Sequence, residues 1–356
     1  MDTVVTTLES MFAALGLAKD LRPLAAFGVM AAVAYLLFLI PIYIAVLRHR
    51  MTRTAAAFWI FVSPWVFGFL VFTAGPMVYS LALSLFDWDL VNPAKFIGID
   101  NYSRAATDPK VAKAIQVTLT YAVISVPLQV ALSLAVSLLL NMKVKGINVF
   151  RTIWYLPSLV TGVAQVILFL WVFNPNYGLL NGFLGVFGIE GPTWFRDPHW
   201  ALPAVIIMSL WTVGGNMVIY LAGLQDVPTE LYEAAALDGA GPLRKFWNIT
   251  IPQISPVIFF NAVTGLIGSM QIFTQGFVVT QNGGGPRDSL LFFVLYMYNN
   301  AFKLFEMGYA SALAWILLVI ILLLTLLVFR GSAFWVYYES MPTKAKKKGK
   351  KNVRTA

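Results

Sequence analysis

The residues of this chain that could do chemistry are few, and most of them can do only one kind. There is no cysteine among the 356 residues, which excludes disulfides, thiolate nucleophiles and cysteine-ligated metals. The two histidines, His49 and His199, stand outside the hydrophobic segments, so no histidine-based catalytic or metal site is expected. What remains inside apolar sequence is uncharged. Asn261, Thr264, Gly268, Gln271 and Gln275 follow steps of three and four, with Thr274 alongside, a spacing that predicts one shared helix face. Ser209, Thr212, Asn216 and Tyr220 line up similarly, next to Trp211 and a Gly214-Gly215 pair read as flexible. Ser158, Thr161 and Gln165 form a third set. Amides and hydroxyls beside aromatic rings suit a neutral, polyhydroxylated solute, which needs many weak hydrogen bonds and no counter-charge. The same residues can also glue helices together in lipid, and Ser125, Gln129, Ser133 and Ser137 are assigned to that use.

A second constellation is mechanical. Pro228 and Thr229 lead into the helix-forming run 230–237, and Gly239 supplies a residue that can turn left-handed and end it. Asp238 is expected to accept hydrogen bonds from the free amides of a following helix, in whose first turn Pro242 fits because a missing N–H costs nothing there. Residues 231–256 thus read as a short helix, a glycine elbow and a second helix. Asp238 and Gly239 are equally good residues for merely capping a loop.

The elements that must position these groups are membrane helices. The chain is 59% hydrophobic and only 12% charged, with mean hydropathy +0.76, whereas a soluble domain carries roughly 25% charged residues. Seven segments are apolar enough to cross a bilayer: 24–46, 57–80, 117–140, 152–173, 203–224, 254–278 and 309–329. The first is too long for a signal peptide and its basic cluster follows it, so a retained helix is expected. The net charge of +9 is distributed as topology determinants are, not as a nucleic-acid face. Arg48, Arg50 and Arg53, then Lys143, Lys145 and Arg151, then Arg244 and Lys245, then Arg330 and the lysines of 344–351 mark every second connection. Cytoplasmic loops carry such an excess, so the N-terminus is expected outside, and the C-terminus and the 231–256 elbow in the cytoplasm. None of the seven segments holds an ionisable Asp, Glu, Lys, Arg or His, which disfavours an ion-coupled carrier. A seven-helix receptor fits the count but has no use for the elbow.

Set in a cytoplasmic loop, the elbow resembles the coupling motif of permease subunits of ATP-binding-cassette importers. Glu233, Ala234, Ala235, Asp238, Gly239, Ala240, Phe246, Ile249, Pro252 and Pro256 stand in the places of that pattern, with Gly241 continuing the elbow. The resemblance covers most of the chain and is to the maltose-type carbohydrate-uptake branch. Ser63-Pro64, Gly75-Pro76, Phe86-Asp87-Trp88, the run 96–102, Phe150-Arg151 with Pro157, the run 177–181, Gly284-Gly285-Pro286, Ala301-Phe302 and the run 308–312 carry it. A longer approach to Gly284 over 280–283 and the lack of a large inserted external domain depart from it.

The resemblance implies an all-α, polytopic bundle with the type I importer permease fold, placed in the inner membrane. It implies a second permease subunit, two nucleotide-binding ATPase subunits that hold ATP and Mg2+, and an external solute-binding protein delivering a sugar. Coupling falls to Glu233, Ala234, Ala235, Asp238, Gly239, Ala240 and Gly241 within 228–252. The substrate pathway is expected along Trp211, Asn216, Tyr220, Asn261, Gln271, Thr274 and Gln275. No cofactor or catalytic residue is expected in this chain, because Gly283-Gly284-Gly285-Pro286 lacks the Gly-Lys-Ser/Thr ending of a phosphate loop. The expected organisation is an N-terminal region 1–56 with an extra helix, a core 57–330 with the coupling loop at 225–253, and a basic tail 331–356.

Overall fold

The computed structural model describes residues 6–7, 9–11, 13, 22–48, 52–160, 162–281 and 283–337. His49, Arg50, Thr161 and the lysine tail lie outside the described residues. The chain divides into two compact units, Met1–Ala82 and Leu83–Ala356.

In the first unit, helix α1 (Arg22–Leu47) is followed by α2 (Arg53–Phe69), whose first turn is capped by the Thr52 hydroxyl accepting from the Ala55 amide at 3.3 Å. The pair is fastened by a hydrogen bond between the Tyr35 and Ser63 hydroxyls at 2.7 Å, with the Tyr35 ring edge-on to Phe67. A π-turn over Leu70–Ala74 joins α2 to α3 (Gly75–Leu83). It falls just before Pro76, where a missing N–H would interrupt a regular α-helical ladder.

The second unit opens with a two-stranded hairpin, β1 (Phe86–Asp87) against β2 (Lys95–Phe96), antiparallel, and a short helix α4 (Asp100–Thr107). Its pillar is α5 (Pro109–Leu140). Then come α6 (Ile147–Tyr155) with a 3-10 turn at Leu156–Leu159, α7 (Gly162–Val172), α8 (Leu179–Val186), α9 (Ala201–Leu210) and α10 (Gly214–Gln225). The elbow helices α11 (Thr229–Leu237) and α12 (Pro242–Lys245) follow. A π-turn at Phe246–Thr250 leads into α13 (Ile251–Met270), then α14 (Thr274–Thr280), α15 (Phe293–Phe302) and α16 (Met307–Ser332). Helix α5 packs against α9, α10, α13 and α15.

Among the described residues five helices are long and apolar enough to span a membrane, or seven if each of two bent pairs counts as one span. The expected span 152–173 is bent by 100° between α6 and α7, and 203–224 by 46° between α9 and α10. The expected span 254–278 is also interrupted, after Met270. Pro157 explains part of the first break, since it cannot donate into a continuing helix. At the second, Gly214 is there for closeness and not for flexibility: a Cβ would lie 2.0 Å from the Trp154 carbonyl oxygen.

Asp108 ties the start of α5 to two later helices. Its carboxylate caps α5 by accepting from the Lys110 amide at 2.9 Å and accepts from the hydroxyls of Tyr296 on α15 and Tyr309 on α16. Partial burial pushes its pKa up, but these donors and the Arg104 charge outweigh that and hold it below the usual carboxylate value. The stability it supplies is therefore present above the ordinary carboxylate range and is lost as pH falls through the lowered value. Arg104 lies over the Tyr309 ring, 4.0 Å from its centroid, and pairs with Glu306 at 2.8 Å. Replacing Asp108 with Ala removes the cap and the shared acceptor together. Unfolding in detergent should show a loss of ~2 kcal/mol, chiefly the value of a helix cap.

Candidate functional site

The α9–α10 and α13–α14 breaks border a polar cavity. It has a volume of about 370 Å³, and its lining includes Gln129 from α5, Gln165 from α7, Ser209 and Thr212 from the end of α9, and Gln271, Thr274 and Gln275 from the α13–α14 break. Gly265 and Gly268 of α13 also face it and leave it wide. Among the described residues no charged side chain lines it.

Part of the lining is locked and part is free. The Gln129 amide donates to the Ser209 hydroxyl at 3.1 Å, and Ser209 donates onward to the Ile206 carbonyl at 2.6 Å. The Gln165 amide, buried, donates to the Met208 carbonyl at 2.9 Å. In an unbroken helix that carbonyl would be paired with the Thr212 amide. The Trp211 amide reaches it instead at a long 3.3 Å, and Gln165 supplies a second donor from a neighbouring helix. By contrast, the side chains of Gln271, Thr274 and Gln275 have no hydrogen-bond partner among the described residues. They present free donors and acceptors to the cavity.

The face expected along 261–275 is not continuous. Helix α13 stops at Met270, Gln271 lies in the break, and Thr274 and Gln275 belong to α14. The cavity gathers Gln271, Thr274 and Gln275 but not Asn261, which is 2% exposed and donates to the Val257 carbonyl at 2.9 Å. Thr264 turns its hydroxyl back to the Phe260 carbonyl. The 46° bend likewise separates Ser209 and Thr212 from Asn216 and Tyr220 on α10. Asn216 is half-buried, and Tyr220 is fully buried. Trp211 stands edge-on to Phe169, outside the lining. Of the described members of the third set, Ser158 donates to the Tyr155 carbonyl and Gln165 reaches the cavity; Thr161 lies outside the described residues.

Gln129 is the residue that sequence reasoning assigned elsewhere. Its neighbours Ser125, Ser133 and Ser137 are fully buried, as packing residues should be. Gln129 shares their helix face but is longer, and that length carries its amide to Ser209.

The elbow closes α11 with a left-handed Gly239 at φ +73°, the Ala240 amide donating to the Ala235 carbonyl at 2.8 Å and the Gly239 amide to Ala236. This is the Schellman arrangement. Pro242 occupies the first turn of α12, as its chemistry requires. Asp238 does not cap α12: the N-cap is Gly241, and no side chain bonds there. Asp238 instead borders a concavity of about 540 Å³ with Ala235, Ala240, Arg244, Lys245 and Asn248. The elbow is anchored from below by a hydrogen bond between the Tyr232 and Thr250 hydroxyls at 3.0 Å. Its outer side is conspicuously apolar, with Leu237 91%, Leu243 75% and Trp247 64% exposed. Glu233 and Ala234 are exposed on the same helix.

Residues 129–334 match the family described as the binding-protein-dependent transport system inner membrane component. The chain is 42% identical over 283 residues to the probable ABC transporter permease protein YesP of Bacillus subtilis, covering 79% of this chain and 91% of that protein. It is 35% identical over 276 residues to the lactose transport system permease protein LacF of Rhizobium radiobacter, covering 76% and 92%. In fold it is similar to a chain of a bacterial alginate ABC transporter crystallised with an alginate pentasaccharide-bound periplasmic protein. There the TM-score is 0.68 at 22% identity, covering 78% of this chain and 93% of that one.

The elbow geometry makes a stability prediction that is independent of activity. Gly239→Ala meets no steric obstacle, so its cost is that of holding an L-residue left-handed, ~1 kcal/mol. Detergent unfolding should show that loss, and an unchanged midpoint would contradict the αL turn.

Proposed function

This chain belongs to the family of binding-protein-dependent transport system inner membrane components, and on that premise we propose that it forms one wall of the translocation pathway of an ATP-driven importer. The solute is a sugar or oligosaccharide handed over by an external binding protein. The observation that carries the substrate reading is the cavity at the α13–α14 break, lined by amides and hydroxyls with no charge. Three of its side chains, Gln271, Thr274 and Gln275, are free to bond a ligand. A neutral polyhydroxylated molecule satisfies such groups without a counter-ion. Asn216, Tyr220, Asn261 and Trp211 serve this pathway from behind, by packing the helices that carry the lining.

Energy enters through 228–252. Leu237, Leu243 and Trp247 expose apolar surface at the elbow, more than a solvated cap requires, and an exposed apolar patch of this kind marks a contact with another protein. We assign that partner as a nucleotide-binding subunit, one of two, which supplies the ATP and Mg2+ chemistry. Glu233, Ala234 and Ala235 present a low helix face for close docking, Asp238 and Ala240 edge the concavity, and Gly239 and Gly241 set the turn. A second permease completes the pathway. The basic connections support an orientation with the elbow and the C-terminus in the cytoplasm and the N-terminus outside, in an inner membrane that the chain would cross seven times.

Two variants tested together in proteoliposomes check this reading. A Cβ at Gly268 meets nothing within 4 Å, so Gly268→Leu should fill the cavity, leave assembly intact and stop sugar uptake. Leu237→Asp, at a 91% exposed position, should leave the fold unchanged and cut ATP-driven uptake at least ~10-fold. Uptake at the wild-type rate in Gly268→Leu would remove the pathway assignment, and full coupling in Leu237→Asp would remove the docking assignment.

A further inference from the structure

A second cavity lies further along the helices that line the first. It too has a volume of about 370 Å³, and it is bounded by Trp171, Asn174, Tyr177, Thr193, Phe195 and Arg196, together with Val279 of α14. Helices α7 and α14 pack together, and both cavities use them. Gln165 of α7 and Gln275 of α14 face the polar cavity, whereas Trp171 and Val279 face this one. At 1.5 Å of rise per residue the two are ~6–9 Å apart along the pair. The charge pattern places this end of α7 outside the cell.

The cavity is built into the fold. Asn181 donates to the carbonyls of Pro175 at 3.1 Å and Pro192 at 3.2 Å and accepts from the Trp194 indole at 2.6 Å, so one amide pins both of its loops. The Asn174 side chain accepts from the Asn176 and Tyr177 amides. Gly178 tightens the turn, since a Cβ there would fall 2.4 Å from the Asn174 carbonyl oxygen. Phe173 fills the floor, packed on Trp194 and Phe195. Above it, Trp171 and Tyr177 remain 51% and 67% exposed, and Arg196, also exposed, makes no ion pair among the described residues. A membrane-interface belt would account for aromatic rings alone. It does not account for rings arranged around a pre-formed hollow with an unpaired guanidinium, an amide and a hydroxyl.

We propose that this hollow is an outer sugar subsite, in which Trp171 and Tyr177 offer apolar faces to one ring of an oligosaccharide while Arg196 and Thr193 bond its hydroxyls. A ring held here lies within reach of the polar cavity for the next ring of the same chain. The subsite therefore selects oligosaccharides over monosaccharides. The inference rests on the sugar-import reading above and adds length selectivity to it.

The test uses the assembled transporter in nanodiscs without its binding protein. Calorimetric binding of maltopentaose and arabinopentaose is compared with that of glucose and arabinose. In the Trp171→Ala/Tyr177→Ala double variant, binding of whichever pentasaccharide the wild type takes should weaken at least ~10-fold, the loss of two aromatic contacts. Binding of the matching monosaccharide should not change. Arg196→Gln should weaken the pentasaccharide selectively as well. Unchanged pentasaccharide binding overturns the subsite alone, as does equal weakening of pentasaccharide and monosaccharide. The subsite is also overturned if both variants bind sugars normally but need more binding protein to stimulate ATP hydrolysis, because the hollow is then a protein-docking face. A wild-type transporter that binds none of these sugars and takes up none in proteoliposomes overturns the sugar-import reading itself, and the subsite with it.

Discussion

Backbone polar groups inside a bilayer must find partners within the protein, and that requirement governs this fold because its span-length apolar segments are broken part-way along. Three apolar segments are interrupted, between Leu159 and Gly162, between Leu210 and Gly214, and between Met270 and Thr274. Each break frees amides and carbonyls that lipid cannot satisfy. The Met208 carbonyl accepts from the Trp211 amide at 3.3 Å and from the Gln165 amide at 2.9 Å, and the Val213 carbonyl accepts from the Ser133 hydroxyl at 3.4 Å in addition to its own helix. Broken backbone is tolerated in a membrane where it lines a cavity or is buried in protein, and here the second and third breaks line the polar cavity through Thr212 and through Gln271, Ile272 and Phe273. The interruption of the helices and the polar lining of the cavity have one cause.

A single pillar holds these broken pieces in register. Helix α5 receives α9, α10, α13 and α15 along its length, and its start is fixed to α15 and α16 through Asp108. The Thr118 hydroxyl on the same helix accepts from the Phe293 amide at 2.9 Å, capping α15. At the opposite end of this unit the elbow is joined to α13 by a continuous helical path through α12 and the π-turn at Phe246–Thr250. From α12 onward this path reaches the α13–α14 break as helix, and only the Gly239–Gly241 turn separates it from α11. We place the lever and the cavity on the same element for that reason.

What could be read from the sequence was set by the range of the interactions involved. The αL turn at Gly239 and the first-turn Pro242 are local consequences of residue type, and both stand where their chemistry puts them. The apolar segments were legible for the same reason, since length and hydropathy suffice. The break at Gln271 was not, because that residue has a helix-compatible side chain and spacing and no proline or left-handed glycine stops the helix there. Asn261 and Gln275 shared a predicted face and ended on different helices. Gly214-Gly215 looked flexible, while the contact that explains Gly214, the carbonyl of Trp154, is sixty residues away in sequence. Gln129 was grouped with three serines by periodicity, and only its reach across to Ser209 separates it from them.

The absence of cysteine from this chain makes the central claim directly measurable. Single Thr212→Cys and Gln271→Cys variants, assembled with their partners in sealed proteoliposomes, can be labelled with a membrane-impermeant thiol reagent from either side, with and without ATP and a trapped transition state. The account predicts that both positions are reactive, and that the reactive side switches with the nucleotide state of the partner subunits. Labelling from one side only in every state, or no labelling from either, would contradict an alternating pathway through the α13–α14 break.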